Sequence, residues 1–288
     1  MKNIYPYFSQ NPLDRLDAIR RDKKLVEELK SSKNSLFLLF DGSDVLFEEN
    51  SKKCFFTCND IDTTEAILLG SYEDKNYFVM KNSQNHLSKL PLREFVSNSY
   101  IEEEKLGILA QSSAILNWHE AHRYCSSCGK LTQMKHAGWR RDCPTCNTQH
   151  FPRVDPVVIM LVTFGDFCLI GRGVNFTKNR YSCLAGYMES GETIEDASRR
   201  ELYEEAGVIG LDVEYKMSQP WPFPSTLMIG VHVKAKSKEL VIDTHEIEDA
   251  KWVHKDDIRA ILNGDESFGF SLPTKIAIGR NLLEEWVS

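Results

Sequence analysis

The chain has 288 residues, 42% of them apolar and 27% charged, an ordinary globular composition with length enough for two domains. Its net charge of −7 excludes a general attraction to nucleic acid or anionic membrane, so an anionic substrate needs metal or local basic groups at its site. No run of eighteen apolar residues occurs, and no segment is expected to span a bilayer.

Residues 1–100 read as a small α+β domain. A polar, helix-prone stretch from Asp14 to Ser32 leads into SLFLLFDGSDVLFEEN, where two apolar runs flank Asp41-Gly42-Ser43-Asp44 as in a hairpin. AILLGSYEDKNYFVM repeats the design, with Glu73-Asp74-Lys75-Asn76 as its turn. No metal, nucleophile or phosphate motif is visible here, and a structural or dimer-forming role is the default. From Ile101 to His122, Leu106, Leu109, Ala110, Ala114, Ile115 and Trp118 fall near helical spacing, which predicts a connecting helix over 101–122.

Residues 123–150 carry Cys125 and Cys128, then fourteen residues, then Cys143 and Cys146. Each C-x2-C pair sets two thiolates about one tetrahedral edge apart, and two pairs complete the four-cysteine shell of structural zinc. With four protein ligands no position stays open for catalysis. His119, His122, His136 and His150 flank the cluster but are not needed as ligands. Lys130, Lys135, Arg140 and Arg141 with Trp139 form a modest basic and aromatic patch. In so acidic a chain it is read first as packing against the catalytic domain or a second subunit. Cys54, Cys58, Cys168 and Cys183 lie among apolar residues and read as buried free thiols. That usage suits a reducing compartment; the start MKNIYPYFSQ lacks the apolar core of a signal peptide, the end EEWVS is no peroxisomal tail, and a cytoplasmic location is expected.

From Pro156, VVIMLVTF, Gly165-Asp166 and FCLIGR read as strand, turn and strand. Arg172, Lys178 and Arg180 are basic groups able to meet phosphate, though loop cations are commonly just solvated. Next comes GYMESGETIEDASRRELYEEAGV, with Thr193 and Asp196 as a cap and Gly207 as a stop. Ile194, Ala197 and Leu202 define the apolar stripe of the helix between them, and Glu201 and Glu205 fall inside it, while Glu204 sits at its margin beside Arg200. An unpaired buried carboxylate costs several kcal/mol, about 3–5 when a partner is removed, and one arginine cannot neutralise three glutamates. A divalent cation can, and Mg²⁺ takes a few carboxylates plus waters and substrate phosphates.

The spacing Gly186, Glu192, Arg200-Glu201-Leu202, Glu204-Glu205 and Gly207-Val208 resembles the Nudix box without a departure. That resemblance implies hydrolysis of a nucleoside diphosphate linked to another moiety, with Mg²⁺ or Mn²⁺. Beyond the box, Ser218-Gln219-Pro220-Trp221-Pro222-Phe223-Pro224-Ser225-Thr226 reads as a stiffened loop and not a central strand, because its prolines fix φ and remove donors. Trp221 and Phe223 give it apolar walls and Gln219 an amide, and residues Gln219 to Thr226 are expected to shape a substrate pocket. This stretch resembles SQPWPFPxS, the signature of the NADH pyrophosphatase family of Nudix hydrolases, departing only in Thr226 for Ser.

The resemblance covers about residues 105 to 288 and implies hydrolysis of NADH, NAD⁺ and related dinucleotides to nicotinamide mononucleotide and AMP. It implies a homodimer, Glu201, Glu205, Glu246 and the Ala185 carbonyl as ligands of the catalytic metal, and Arg200 and Glu204 as further catalytic groups. Tyr187 and Phe151 are implied to stack on a flat base, and Gly279 or Ala277 to meet the substrate through backbone. Glu248, two residues beyond Glu246, is the second candidate ligand. The same chemistry on the NAD cap of RNA is the alternative, and a nucleotide-sensing module a lesser one. The expected fold class is α+β: the N-terminal sheet domain, the connecting helix, the zinc ribbon, and over 151–288 a Nudix α/β/α sandwich with a mixed sheet.

Overall fold

In a computed structural model, the apolar runs near the N-terminus pair into one sheet, and those after Val154 into another. The structure describes residues 5–59, 61–84 and 86–288, so the first four residues of the MKNIYPYFSQ start lie outside it. Two compact units emerge, one of Gln10–Val154 with Trp221–Ser225, the other of Asp155–Pro220 and Thr226–Ser288 with the described residues through Ser9.

In the first unit, α1 (Lys23–Lys30) starts on Asp22, whose side chain accepts from the Lys24 and Leu25 amides. Six strands follow: β1 (Ser35–Asp41), β2 (Asp44–Phe47), β3 (Phe55–Phe56), β4 (Ile67–Tyr72), β5 (Lys75–Lys81) and β6 (Ser88–Pro91). Their order is β4-β5-β1-β2-β6 with β3 against β1, and β1 and β5 run parallel. Both expected hairpins form. The second turns on Glu73 and Asp74 alone, both at positive φ (47° and 57°), so it is tighter than the four-residue stretch suggested.

After α2 (Leu92–Ser97), which the apolar pattern did not signal, α3 (Leu106–Ala121) buries Leu106, Ile108, Leu109, Ala110, Ile115, Leu116 and Trp118. It is apolar nearly all round, as befits a core helix. The N-terminal sheet, this helix and the ribbon thus share one unit.

The ribbon folds as β7 (Gln133–Lys135), β8 (Arg140–Asp142) and β9 (Gln149–His150). Its four sulfurs lie within 4.8 Å of one another, with Cys125 and Cys146 at 3.6 Å and Cys128 and Cys143 at 3.5 Å. Four thiolates at about 2.3 Å from zinc stand roughly 3.8 Å apart, so the cluster fits the ion. His119 commits one ring nitrogen to the Gly138 carbonyl and the other to Arg141, and His122 bonds the Trp118 carbonyl. Cys54, Cys168 and Cys183 are buried, whereas Cys58 is only half-buried, a correction to the reading of four buried thiols.

The second unit contains β10 (Asp155–Phe164), β11 (Phe167–Gly173), β12 (Leu184–Tyr187), α4 (Ile194–Ala206), β13 (Gly210–Trp221), β14 (Thr226–Ala235), β15 (Ile247–His254), α5 (Lys255–Leu262) and α6 (Ile278–Val287). Strand order is β13-β14-β10-β11-β15, with β12 also on β10; β10 and β14 are parallel, β10 and β11 antiparallel, so the sheet is mixed. Alternation along β10 builds two cores. Met160 and Val162 pack with Leu202 and Ala206 of α4, while Ile159 and Leu161 pack with Ile258 of α5 and Leu282 of α6. This is an α/β/α sandwich.

Two corrections concern its edges. Ser218, Gln219, Pro220 and Trp221 belong to β13, where a loop was expected. Because β13 is the edge strand, a proline that donates nothing is tolerated there. The stretch PTKIAIGRNLLEEWVS, expected from its sequence to be helical, forms a helix only from Ile278, and α5 was not foreseen.

Replacing Cys125 by Ser is expected to release zinc and lower the melting temperature, since structural metal binding is coupled to folding. Metal analysis and a thermal melt check this; full zinc content with an unshifted melt refutes the ribbon assignment.

Candidate active site

Helix α4 is delimited by its own sequence. The Thr193 hydroxyl accepts from the Asp196 amide at 3.1 Å and donates to the Asp196 carboxylate at 2.8 Å. Gly207 ends it at φ 67°, where a Cβ would come within 2.7 Å of Val241. Fully buried Leu202 and Ala206 determine which face turns inward, and Glu201 and Glu205 turn with it. Their neighbour Glu204 points out, its side chain 59% exposed.

Arg200 is the hub of the cluster. Its guanidinium bonds Glu192 at 2.8 Å, Glu201 at 2.8 Å, Glu204 at 2.9 Å and the Tyr187 carbonyl at 2.9 Å. This bonding, with the Glu189 amide, holds Glu192 down to about 2, and in turn raises Arg200. Glu201 lies so close to the chain that a Cβ on Gly186 would stand 1.9 Å from its carboxyl carbon. That close approach explains the glycine opening the motif.

Glu205 is the carboxylate Arg200 does not reach. It is 6% exposed, and its Oε2 is buried without a hydrogen-bond partner. Burial, then the charges of Glu201, Glu246 and Glu204, push it up to about 8. Burial likewise raises Glu201, against the opposing pull of Arg200. Glu205 borders a cavity of about 400 Å³ together with Glu246, Ala185, His245, Phe176 and Gly173. An orphaned acidic oxygen facing further carboxylates fits a hard divalent cation. Among the described residues only the four thiols bring three or more ligand atoms within 4.8 Å of one another, so Glu205 and Glu246 line the cavity while the carboxylates do not converge on a point.

The structure separates the two candidates near β15. Glu246 lies in the turn before the strand and lines the cavity; Glu248 lies on the strand, paired with Arg172 at 3.1 Å. The register shift between Arg172 and Gly173 breaks the shared face that two-residue spacing implies. Lys178 and Arg180 are exposed.

The candidate substrate contacts divide. Tyr187 and Phe151 are 60% and 61% exposed, so neither ring is core packing. Gln219, expected to offer its amide to substrate, is fully buried. It donates to the Tyr7 and Ile276 carbonyls and accepts from the Ile278 amide, so its polar atoms are taken up by backbone. Gly279, read as a substrate contact, is packed inside α6, where a Cβ would stand 2.9 Å from the Ser182 hydroxyl; its smallness serves helix packing. Ala277 caps that helix, half-buried.

Trp221 and Phe223 meet edge to face at 5.1 Å, with the Arg93 guanidinium 5.3 and 4.9 Å over their rings. The Pro222 carbonyl accepts from Ser113 at 3.3 Å. Pro222 and Thr226 are buried, Pro220 and Ser225 half-buried, and Pro224 exposed. Phe176 and His245, which line the cavity, sit in loops without periodic pattern and were not singled out.

Comparison with known proteins gives two family matches: a NUDIX domain over residues 152–269 and an NADH pyrophosphatase zinc ribbon domain over 120–151. The human NAD-capped RNA hydrolase NUDT12 is 42% identical over 197 residues, covering 65% of this chain and 43% of that protein. Human NAD(P)H pyrophosphatase NUDT13, mitochondrial, is 40% identical over 193 residues, 62% of this chain and 54% of its own length. NAD-capped RNA hydrolase NudC of Stutzerimonas stutzeri is 37% identical over 197 residues, 68% of this chain and 67% of that one. The matched region thus spans only about half of the two human relatives.

A proton held at Glu205 makes folding pH-dependent. Its ordinary value is 4.5 and its folded value about 8, so between these the folded state without cation keeps a proton that the unfolded chain has lost. The resulting stability is complete below the lower value and is lost as pH rises through the upper one, by a few kcal/mol at most at about 1.4 per unit. Urea melts without added divalent metal are expected to show stability declining from about pH 5 to about pH 8. Glu205→Gln should flatten that decline, and Mn²⁺ should offset it in the wild type; an equal decline in the variant assigns it elsewhere.

Proposed function

Because the chain belongs to the NADH pyrophosphatase family of Nudix hydrolases, we propose that it hydrolyses the pyrophosphate of NADH, NAD⁺ and related dinucleotides to nicotinamide mononucleotide and AMP. The observation carrying this reading is Glu205: a buried, unpartnered carboxylate oxygen on a cavity shared with Glu246 and Ala185. Glu201, Glu205, Glu246 and the Ala185 carbonyl would hold Mg²⁺ or Mn²⁺, which when bound neutralises the diphosphate and acidifies a water.

The remaining chemistry belongs to the chain's own groups. Arg200 orients Glu201 and Glu204, and its bond to the Tyr187 carbonyl ties the strand end to the helix. Glu204, exposed and held by Arg200, is a candidate to take the proton of the attacking water. Water adds to one phosphorus, the bridging P–O bond breaks, and the bridging oxygen leaves with the other phosphate. Tyr187 and Phe151 offer exposed ring faces to nicotinamide or adenine. The signature segment and Gly279 act through fold and packing, with Trp221 and Phe223 the members still able to present ring faces.

A second reading, removal of the NAD cap from RNA by the same chemistry, is supported by the names of NUDT12 and NudC. The free thiols suit a reducing compartment, for which we propose the cytoplasm, and a homodimer is the proposed assembly.

Product analysis with NADH, NAD⁺, ADP-ribose and NAD-capped RNA, with Mg²⁺ or Mn²⁺, tests this. AMP from the free dinucleotides is expected, and Glu205→Gln should lower turnover at least about a hundredfold, the scale set by losing a single transition-state contact. RNA turnover falling steeply with salt while NADH turnover does not would favour the cap reading. No AMP from any dinucleotide would support a nucleotide-sensing module instead.

A further inference from the structure

Within the unit of Gln10–Val154 lies a cavity of about 280 Å³ that the carboxylate chemistry does not use. Arg15, Arg20 and Arg153 line it, with Ile115, Trp139 and Val154. The Arg20 guanidinium carbon sits 4.0 Å over the Trp139 ring, and that ring is pinned by its Nε1 donating to the Leu68 carbonyl at 2.6 Å. Yet Arg20 Nε and Nη2 are buried and find no hydrogen-bond acceptor.

Stacking on tryptophan satisfies the face of a guanidinium and leaves its in-plane N–H groups unused. A buried donor of a charged group left so costs more than a neutral one. Burial lowers Arg20 to about 10, with Asp17 and Asp14 pulling the other way. Neither aspartate forms an ion pair with Arg20 among the described residues; the Asp14 carboxylate instead accepts from the Leu16 amide. A cation in this state gains most from an anion entering the cavity.

We propose that this cavity is a second ligand site, for the phosphate and base of a single nucleotide. The planar fork of arginine matches phosphate oxygens. Trp139, Ile115 and Val154 supply apolar surface for a flat base, and the free face of a guanidinium stacks on bases as well. Size sets the limit: ligand pockets run from about 300 to 1,000 Å³, and this one falls just below that range, which allows one nucleotide at most and no dinucleotide. A free mononucleotide and one nucleotide of an RNA chain share this chemistry.

Calorimetric titration of the full chain, without added divalent metal, distinguishes the two sources. The probes are AMP and a 5′-phosphorylated five-nucleotide RNA, and the proteins are wild type, Arg20→Gln and Arg15→Gln. Both variants are expected to lose about tenfold or more in affinity while zinc content and melting temperature stay unchanged. Loss for both probes makes a free nucleotide sufficient; loss for RNA alone makes the chain the source. If Arg20→Gln melts early, Arg15→Gln decides. No saturable binding of either probe, or equal affinity in wild type and variants, overturns the proposal.

Discussion

The guanidinium of Arg200 sets the order of the acidic cluster by what it reaches and what it does not. It engages Glu192, Glu201 and Glu204 on three sides and, through the Tyr187 carbonyl, the end of β12. With its donors taken up in one fixed plane, nothing is left for Glu205, whose Oε2 stays buried and unpartnered. Removing that side chain's charge by protonation is the least costly response available to the protein alone, and burial accordingly pushes it up to about 8. A cation relieves the same cost without a proton. The acidic helix is therefore tensioned toward metal by the stoichiometry of one arginine among its glutamates.

That tension is sustained by hydrophobic packing. Leu202 and Ala206 lie wholly within the core shared with Met160 and Val162, so α4 cannot roll to expose Glu201 and Glu205 without opening that core. Fully burying one aliphatic side chain is worth roughly 1.5–3 kcal/mol, so it takes several such contacts together to offset the penalty of the carboxylate dragged inward. Gly186 completes the arrangement, because any Cβ there would occupy the volume of the Glu201 carboxylate.

The signature segment is a different kind of constraint. Its residues were expected to shape a pocket by stiffness, and several of them hold the fold together. Gln219 ties β13 to the start of α6 and to the Tyr7 carbonyl with every polar atom of its amide. Trp221 and Phe223 share the Arg93 guanidinium, a residue far away in sequence that no motif marks. The cation and the rings stabilise each other through the ring quadrupoles, by about 0.5–2 kcal/mol per contact.

Local spacing was enough to read the four thiols, the hairpins around Gly42 and Asp74, the cap at Thr193 and the inward turn of Glu201 and Glu205. Each depends on residues within one turn, one strand pair or one helix, where geometry follows from 3.6- and 2-residue periods. Tertiary structure alone set Glu246 at the cavity and Glu248 beside Arg172, because a one-residue shift against β11 sends them to different surroundings. It alone withdrew Gln219 and Gly279 from the surface, brought Phe176 and His245 to the cavity, and set Arg20 on Trp139. Those outcomes rest on burial and on contacts between segments distant along the chain, and nothing in the order of neighbouring residues encodes how far a side chain ends from water.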